Sequence, residues 1–149
     1  MTTRVVYPTI TIDTREQVAL SFPRCPSVRG TLAEGDYMIE GVPCVIERKS
    51  LADYLATITI GKERFERECG RLAKWRWVFI VVEADFSDVA EGKYRSNVHQ
   101  ESAIGLTAAH CIRHAPVFFA SSHKHAGIIV ERLLLMAAKQ IEREAAGEA

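Results

Sequence analysis

At 149 residues, 48% hydrophobic and 26% charged, the chain has the composition of one globular domain with enough apolar side chains for a real core. Its formal net charge is zero, so a polyanionic partner must be met by a local basic patch rather than by an overall field. No run approaches membrane-spanning length and "MTTRVVYPTI" carries no long apolar stretch, so the expectation is a soluble cytoplasmic protein.

Taken in order, "PTITIDT" alternates Ile10 and Ile12 with Thr11 and Asp13, the period of a half-buried strand. "FPRCPSVRG" is broken by Pro23 and Pro26 and reads as a loop leading into a short strand. A hairpin over Tyr37–Glu47 follows. Ser50 is placed to cap a short helix, "LADYLATI", that stops near Gly61. "KERFERECGRLAKW" is helical by period, with Phe65, Cys69, Leu72 and the stem of Arg76 on one face. The continuous apolar run Trp77–Val82 predicts a strand covered on both sides.

Gly92 and Lys93 fall in a polar loop. Asn97 and Gln100 resemble a capping box opening a helix to about His114. "PVFFA" predicts a second buried strand, and Ser121 or Ser122 caps a long last helix reaching about Ala146. Strands and a hairpin, then helix and strand in alternation, define an α/β sandwich around a mixed sheet.

The hairpin carries the chemistry. Centring its turn between Gly41 and Val42 pairs Met38 with Val45 and Asp36 with Glu47. Pro43 cannot donate a closing hydrogen bond, and a looser loop over Glu40–Pro43 keeps the same pairing. Opposed side chains on one face lie roughly 5 Å apart, where two carboxylates repel. A divalent cation turns that repulsion into ligation, and an oxygen-only set suits Mg²⁺ or Mn²⁺. Lys49 falls on the same face as Glu47 by strand alternation, and Asp13 is a plausible further acid. Acid, acid and lysine around a hard cation make a kit for phosphodiester hydrolysis. The plainer alternative is a solvated "ERK" at the end of an exposed hairpin.

These residues resemble a family. "GD", then "ERK", then Asp53 is similar to the GD-x(n)-ERK-x(3)-D signature of the XPF-type structure-specific endonucleases, relatives of the PD-(D/E)xK nuclease superfamily. Asp13, Arg15 and Glu16 match the family's D-x-R-E element. Gly61, Arg64-Phe65 and Arg71-Leu72 echo its G-R-F-x-x-Q-x-x-R-L helix, with two extra residues after Gly61 and Glu68 in place of the usual Gln. The resemblance spans about Ile10 to Ala138 and includes "FIVVE" and a Ser-x-His helix start at Ser121-Ser122-His123.

The resemblance implies a restriction-endonuclease-like mixed sheet with helices on both faces, and one nuclease domain over 1–149 (core about 9–146). It implies a Mg²⁺- or Mn²⁺-dependent DNA endonuclease acting at branched or flapped DNA. Asp36 and Glu47 become metal ligands, with Asp13 beside them. Lys49 is the catalytic lysine, supported by Arg15, Arg48 and Asp53. Arg48 points to the opposite strand face, leaving two assignments open: an ion pair, with Asp53 as candidate, or a phosphate contact. The chain ends without room for the tandem helix-hairpin-helix motifs of many relatives. A different class of function, an inactive nuclease-like module that binds DNA or serves as a dimer partner, stands as the alternative.

Arg64, Arg67, Arg71 and Lys74 share one side of their helix and form a candidate phosphate-binding stripe. The last helix carries more apolar residues than one core-facing stripe needs, among them Ile129, Val130, Leu133, Leu134 and Met136, and is assigned to homo- or heterodimerisation. Trp75 and Trp77 are assigned to packing rather than base stacking. The widely spaced Cys25, Cys44, Cys69 and Cys111 read as buried thiols rather than as a zinc site. His99, His110 and His114 offer no evident ligand spacing, and His123 and His125 are placed at the surface.

Overall fold

Alternation in the central strand decides which side chains face which layer. In the computed structural model, which describes residues 2–148, that strand is β4 (Cys44–Lys49). Cys44, Ile46 and Arg48 point to one face of the sheet; Val45, Glu47 and Lys49 point to the other. Around it lie β1 (Ile10–Asp13), β2 (Ser27–Gly30), β3 (Tyr37–Ile39), β5 (Trp77–Val82) and β6 (Val117–Phe119), in the order β2-β1-β3-β4-β5-β6. The β1–β3 and β3–β4 pairs are antiparallel, and the remaining three are parallel. The sheet is therefore mixed, as expected.

Among the described residues five helices cover it: α1 (Leu51–Ile58), α2 (Lys62–Leu72), α3 (Phe86–Ala90), α4 (Gln100–Arg113) and α5 (His123–Ala145). On one face, Val130 and Leu134 of α5 pack with Ile10, Ile12, Tyr37, Ile39 and Ile46. On the other, Tyr54, Leu55 and Ile58 of α1 and Phe65 and Cys69 of α2 pack with Ile80 and Val82. The α1 residues recur on one side of the helix, and burying each large apolar side chain there contributes about 1.5–3 kcal/mol. Ser50 caps α1 by accepting from the Asp53 N–H at 3.2 Å, as the sequence predicts.

The hairpin register holds as well: Met38 pairs with Val45, and Tyr37 with Ile46. Gly35, just before it, has φ +78, and a Cβ there would strike the Val45 side chain. That position requires glycine.

Several boundaries differ. β6 is an edge strand rather than a buried one, and Phe118 is 38% exposed, because no strand follows it in the sheet. α4 begins at Gln100, capped by His99 Nδ1 accepting from the Glu101 N–H, not by Asn97. α2 ends at Leu72, so Lys74 and Arg76 lie beyond it. The short α3 falls where no helix was expected. Cys111 is exposed, whereas Cys25, Cys44 and Cys69 are buried free thiols. No helix among the described residues is long and apolar enough to cross a membrane.

Candidate active site

Asp13 at the end of β1, Asp36 just before β3 and Glu47 in β4 are three acids on the face covered by α1 and α2. The β1–β3 register continues through Asp13, whose N–H donates to the Asp36 carbonyl at 2.8 Å. Asp36 in turn lies beside the Ile46–Glu47 step of β4, its N–H donating to the Ile46 carbonyl at 2.8 Å. Asp36 is thus flanked by Asp13 on one side and Glu47 on the other.

The three carboxyls have different surroundings. Asp13 is buried and fully engaged: Oδ1 accepts from the Leu32 N–H at 2.9 Å, and Oδ2 accepts from Arg15 Nε at 2.7 Å and from the Arg15 N–H at 3.2 Å. Burial works to raise its pKa, but those hydrogen bonds outweigh it and hold Asp13 below the usual range. Arg15 also donates to the Leu32 carbonyl at 3.1 Å, so this pair pins the loop leading to Gly35 and Asp36. Asp36 Oδ2 accepts from the Arg48 N–H at 2.8 Å. Burial raises the Asp36 pKa, and the Glu16 charge adds to it.

Glu47 is pushed up furthest in this group, first by burial and then by Asp36 and Glu68. Glu68, on α2, comes within hydrogen-bonding reach of Glu47. Two carboxyls in that relation need a shared proton or a cation between them. The sequence reading noted Glu68 only as a departure from its family's glutamine; the spacing from Phe65 gave the helix face but not what faced it.

The acids line a cleft of about 310 Å³ together with Arg15, Glu34, Arg64, Glu68 and Arg71. A second cleft of about 730 Å³ holds Lys49, Asp53, Arg64 and Glu68. Because Arg64 and Glu68 border both, the two clefts adjoin. Lys49 lies on the Glu47 face, its Nζ 5.8 Å from the centre of the Phe65 ring. Asp53 is exposed in the first turn of α1. Arg67 is exposed and lines neither cleft. Lys74 is tied to Glu34 at 2.6 Å, beside the Trp75 Nε1 contact to the same carboxylate at 3.3 Å.

Arg48 turns to the α5 face, as alternation requires, but its partner is not Asp53. It donates to Glu16 at 2.9 Å and Glu83 at 2.8 Å. Tyr37 donates to Glu16 at 2.6 Å, and His123 Nδ1 lies 2.9 Å from Glu83. His123 is half-exposed and tethered, its Nε2 3.1 Å from the Ala19 carbonyl, whereas His125 is exposed as expected. Trp77 packs beneath Arg76, 4.1 Å from guanidinium to ring, and Arg76 pairs with Glu144.

The acidic set suits a hard cation in its chemistry: oxygen donors only, with Asp36 and Glu68 near enough to raise the Glu47 pKa. Among the described residues, however, the one cluster of three or more His, Cys, Asp or Glu with ligand atoms all within 4.8 Å is Cys69, His110 and His114. His110 sits in the last turn of α4 and His114 is its C-cap residue, and Cys69 joins them from α2, a neighbour that sequence spacing alone does not reveal.

This is an α/β fold with an acid–acid–lysine face, the class that the sequence anticipated. The family model described as "ERCC4 domain" matches residues 12–133, and the chain belongs to that family. Its fold is similar to "XPF from Aeropyrum pernix", with a TM-score of 0.69 and 22% identity over 87% of this chain and 61% of that one. It is also similar to "XPF from Aeropyrum pernix, complex with DNA", with a TM-score of 0.70 and 22% identity over 90% of this chain and 66% of that one. The chain thus spans less than two thirds of either structure. No curated protein matches its sequence.

Proposed function

We propose that this chain is a Mg²⁺- or Mn²⁺-dependent endonuclease that hydrolyses phosphodiester bonds in branched or flapped DNA. The observation that carries the reading is the convergence of Asp36 and Glu47 from adjoining strands, with Glu68 against Glu47 and Lys49 on the same face. Asp36 and Glu47 would hold the cation, and Glu68 stands next to them. Mg²⁺ commonly takes only one or two protein carboxylates and keeps its remaining positions for water and phosphate. When bound, such a cation polarises the phosphoryl oxygen and acidifies water.

The chain's own residues do the rest. Lys49 offers an ammonium to the phosphate or the attacking water, offsetting charge as it develops. Arg64 and Arg71, on the cleft walls, bind flanking phosphates. Asp13 and Arg15 hold the loop that presents Asp36, and Arg48 braces the opposite face. Asp53 borders the Lys49 cleft from the first turn of α1. The membership in the ERCC4 domain family and the DNA-bound relative support the substrate class.

Pairing through α5 belongs to the same reading. Trp77, Phe79, Leu133, Met136 and Gln140 border an open groove of about 440 Å³, and Met136 is 55% exposed. A second copy or a related chain would cover it.

The alternative, a non-catalytic DNA-binding or dimer-partner module, draws on one observation: both Asp13 oxygens are already engaged. A panel of labelled flap, fork, nicked and four-way substrates separates the two. Mg²⁺-dependent incision, abolished by chelation, supports the nuclease; binding without incision of any substrate supports the module.

A further inference from the structure

His110 is 4% exposed, yet neither ring nitrogen has a hydrogen-bond partner. Buried polar groups are nearly always satisfied, and leaving one unsatisfied costs about 1–3 kcal/mol. Two nitrogens on one ring sharpen the question of what they face. The Phe65 ring stacks on His110, 4.9 Å between centres, and fixes its plane. His114, the residue that caps the C-terminus of α4, lies 5.2 Å away ring to ring, and the buried Cys69 thiol reaches the same point from α2.

We infer that Cys69, His110 and His114 form a second metal site, distinct from the acidic one and selective for a borderline cation of the Zn²⁺ class. The donor types decide the class: one thiolate and two imidazoles favour Zn²⁺ over Mg²⁺ or Mn²⁺, which prefer oxygen. Geometry supports it. The three ligand atoms already lie within 4.8 Å of one another, whereas bond lengths to tetrahedral zinc require separations of about 3.5 Å. The exposed His114 is free of core packing and can close that gap by a rotamer change.

Burial keeps His110 neutral, with its pKa lowered to about 4, so one ring nitrogen offers its lone pair without proton loss. Burial also raises the Cys69 thiol, to about 11, so binding must release that proton to solvent as the sulfur–metal bond forms. Three protein donors leave the fourth position open. Beside them lies a cavity of about 300 Å³, lined also by Arg113 and Trp75, with room for water there. The cation would link α2 to α4. Because Cys69 belongs to α2, the link would also stiffen the helix that carries Arg64 and Glu68, and Phe65 of that helix contacts both His110 and Lys49.

The test uses the whole chain, stripped of metal by chelator and titrated with Co²⁺ and then Zn²⁺, and its readout is spectroscopic rather than catalytic. Its outcome is therefore independent of whether the protein cleaves DNA. The expected result is a thiolate-to-cobalt charge-transfer band with tetrahedral visible bands, displaced by Zn²⁺. Cys69→Ser abolishes the band, and His114→Ala, at an exposed position that folding tolerates, weakens Zn²⁺ binding roughly 100-fold or more. Glu47→Gln, which alters the acidic site, keeps it. Absence of the sulfur band, or Zn²⁺ binding unchanged in both Cys69→Ser and His114→Ala, overturns the inference.

Discussion

Arg48 Nε lies 2.9 Å from Glu16 Oε2, a bond that joins the "IDTRE" segment to the "ERK" strand across 32 residues of chain. The same guanidinium reaches Glu83, where β5 ends, and Glu83 meets His123 at the start of α5. Four separated sequence elements are thereby connected on the sheet face opposite the acid cluster. Both acids and Arg48 are largely shielded from water, so removing one partner leaves an uncompensated charge. Arg48→Ala is expected to cost about 3 kcal/mol in urea unfolding. Arg48→Lys should recover only part, since an ammonium lacks the fork that spans two carboxylates. A loss below about 0.5 kcal/mol for the alanine variant contradicts a bracing role.

Gly35 gives a second stability prediction. Its φ of +78 and its approach to Val45 forbid a Cβ, so Gly35→Ala must shift both the loop and β4. A loss of about 2–4 kcal/mol is expected by chemical denaturation, and the proposed Mn²⁺ binding at Asp36 should weaken because that side chain is displaced. Gly41, also at positive φ but in open space, should tolerate alanine at about 1 kcal/mol.

The crowded acids predict an unusual pH dependence without divalent cations. Asp36 and Glu47 have raised pKa values in the fold, so between the ordinary carboxylate range and those higher values the native state binds more protons than the unfolded chain. Stability must then fall as pH rises through that window. In chelator, Tm should decline from about pH 6.5 to about pH 8.5, above the range in which the buried neutral His110 makes the opposite contribution, and Glu47→Gln should flatten the decline and stabilise the protein by on the order of 2 kcal/mol at the upper end. A wild-type profile that rises over this range contradicts the acid clustering.

Much of this site was legible before any coordinates. Strand alternation placed Glu47 and Lys49 on one face and Arg48 on the other, and turn arithmetic paired Met38 with Val45, because both follow from local periodicity. What periodicity cannot supply is the identity of a neighbour from a distant element. Glu68 facing Glu47, Arg48 choosing Glu16 and Glu83 over Asp53, and Cys69 meeting His110 all depend on how α2, α4 and β5 dock. β6 read as buried because its residues are apolar; only the strand order reveals it as an edge.

The basic residues separate into two groups. Arg64 and Arg71 border the acidic cleft, whereas Lys74 is held at the surface by Glu34. Arg64→Ala and Arg71→Ala should each weaken DNA binding and reduce the magnitude of the salt slope by about 1, as expected for a lost phosphate contact. Lys74→Ala should change folding stability by less than about 1 kcal/mol, since exposed pairs contribute little. Equal slopes for wild type and both arginine variants remove these residues from the phosphate contacts.

The central claim is that Asp36 and Glu47 share one hard cation. Crystals grown in chelator and soaked in Mn²⁺ test it directly through the anomalous difference map. The account predicts a manganese peak bridging the two carboxylates, lost in Asp36→Ala and Glu47→Ala crystals that retain the fold. A saturating soak that leaves those carboxylates without a peak, while Mn²⁺ settles elsewhere, contradicts it.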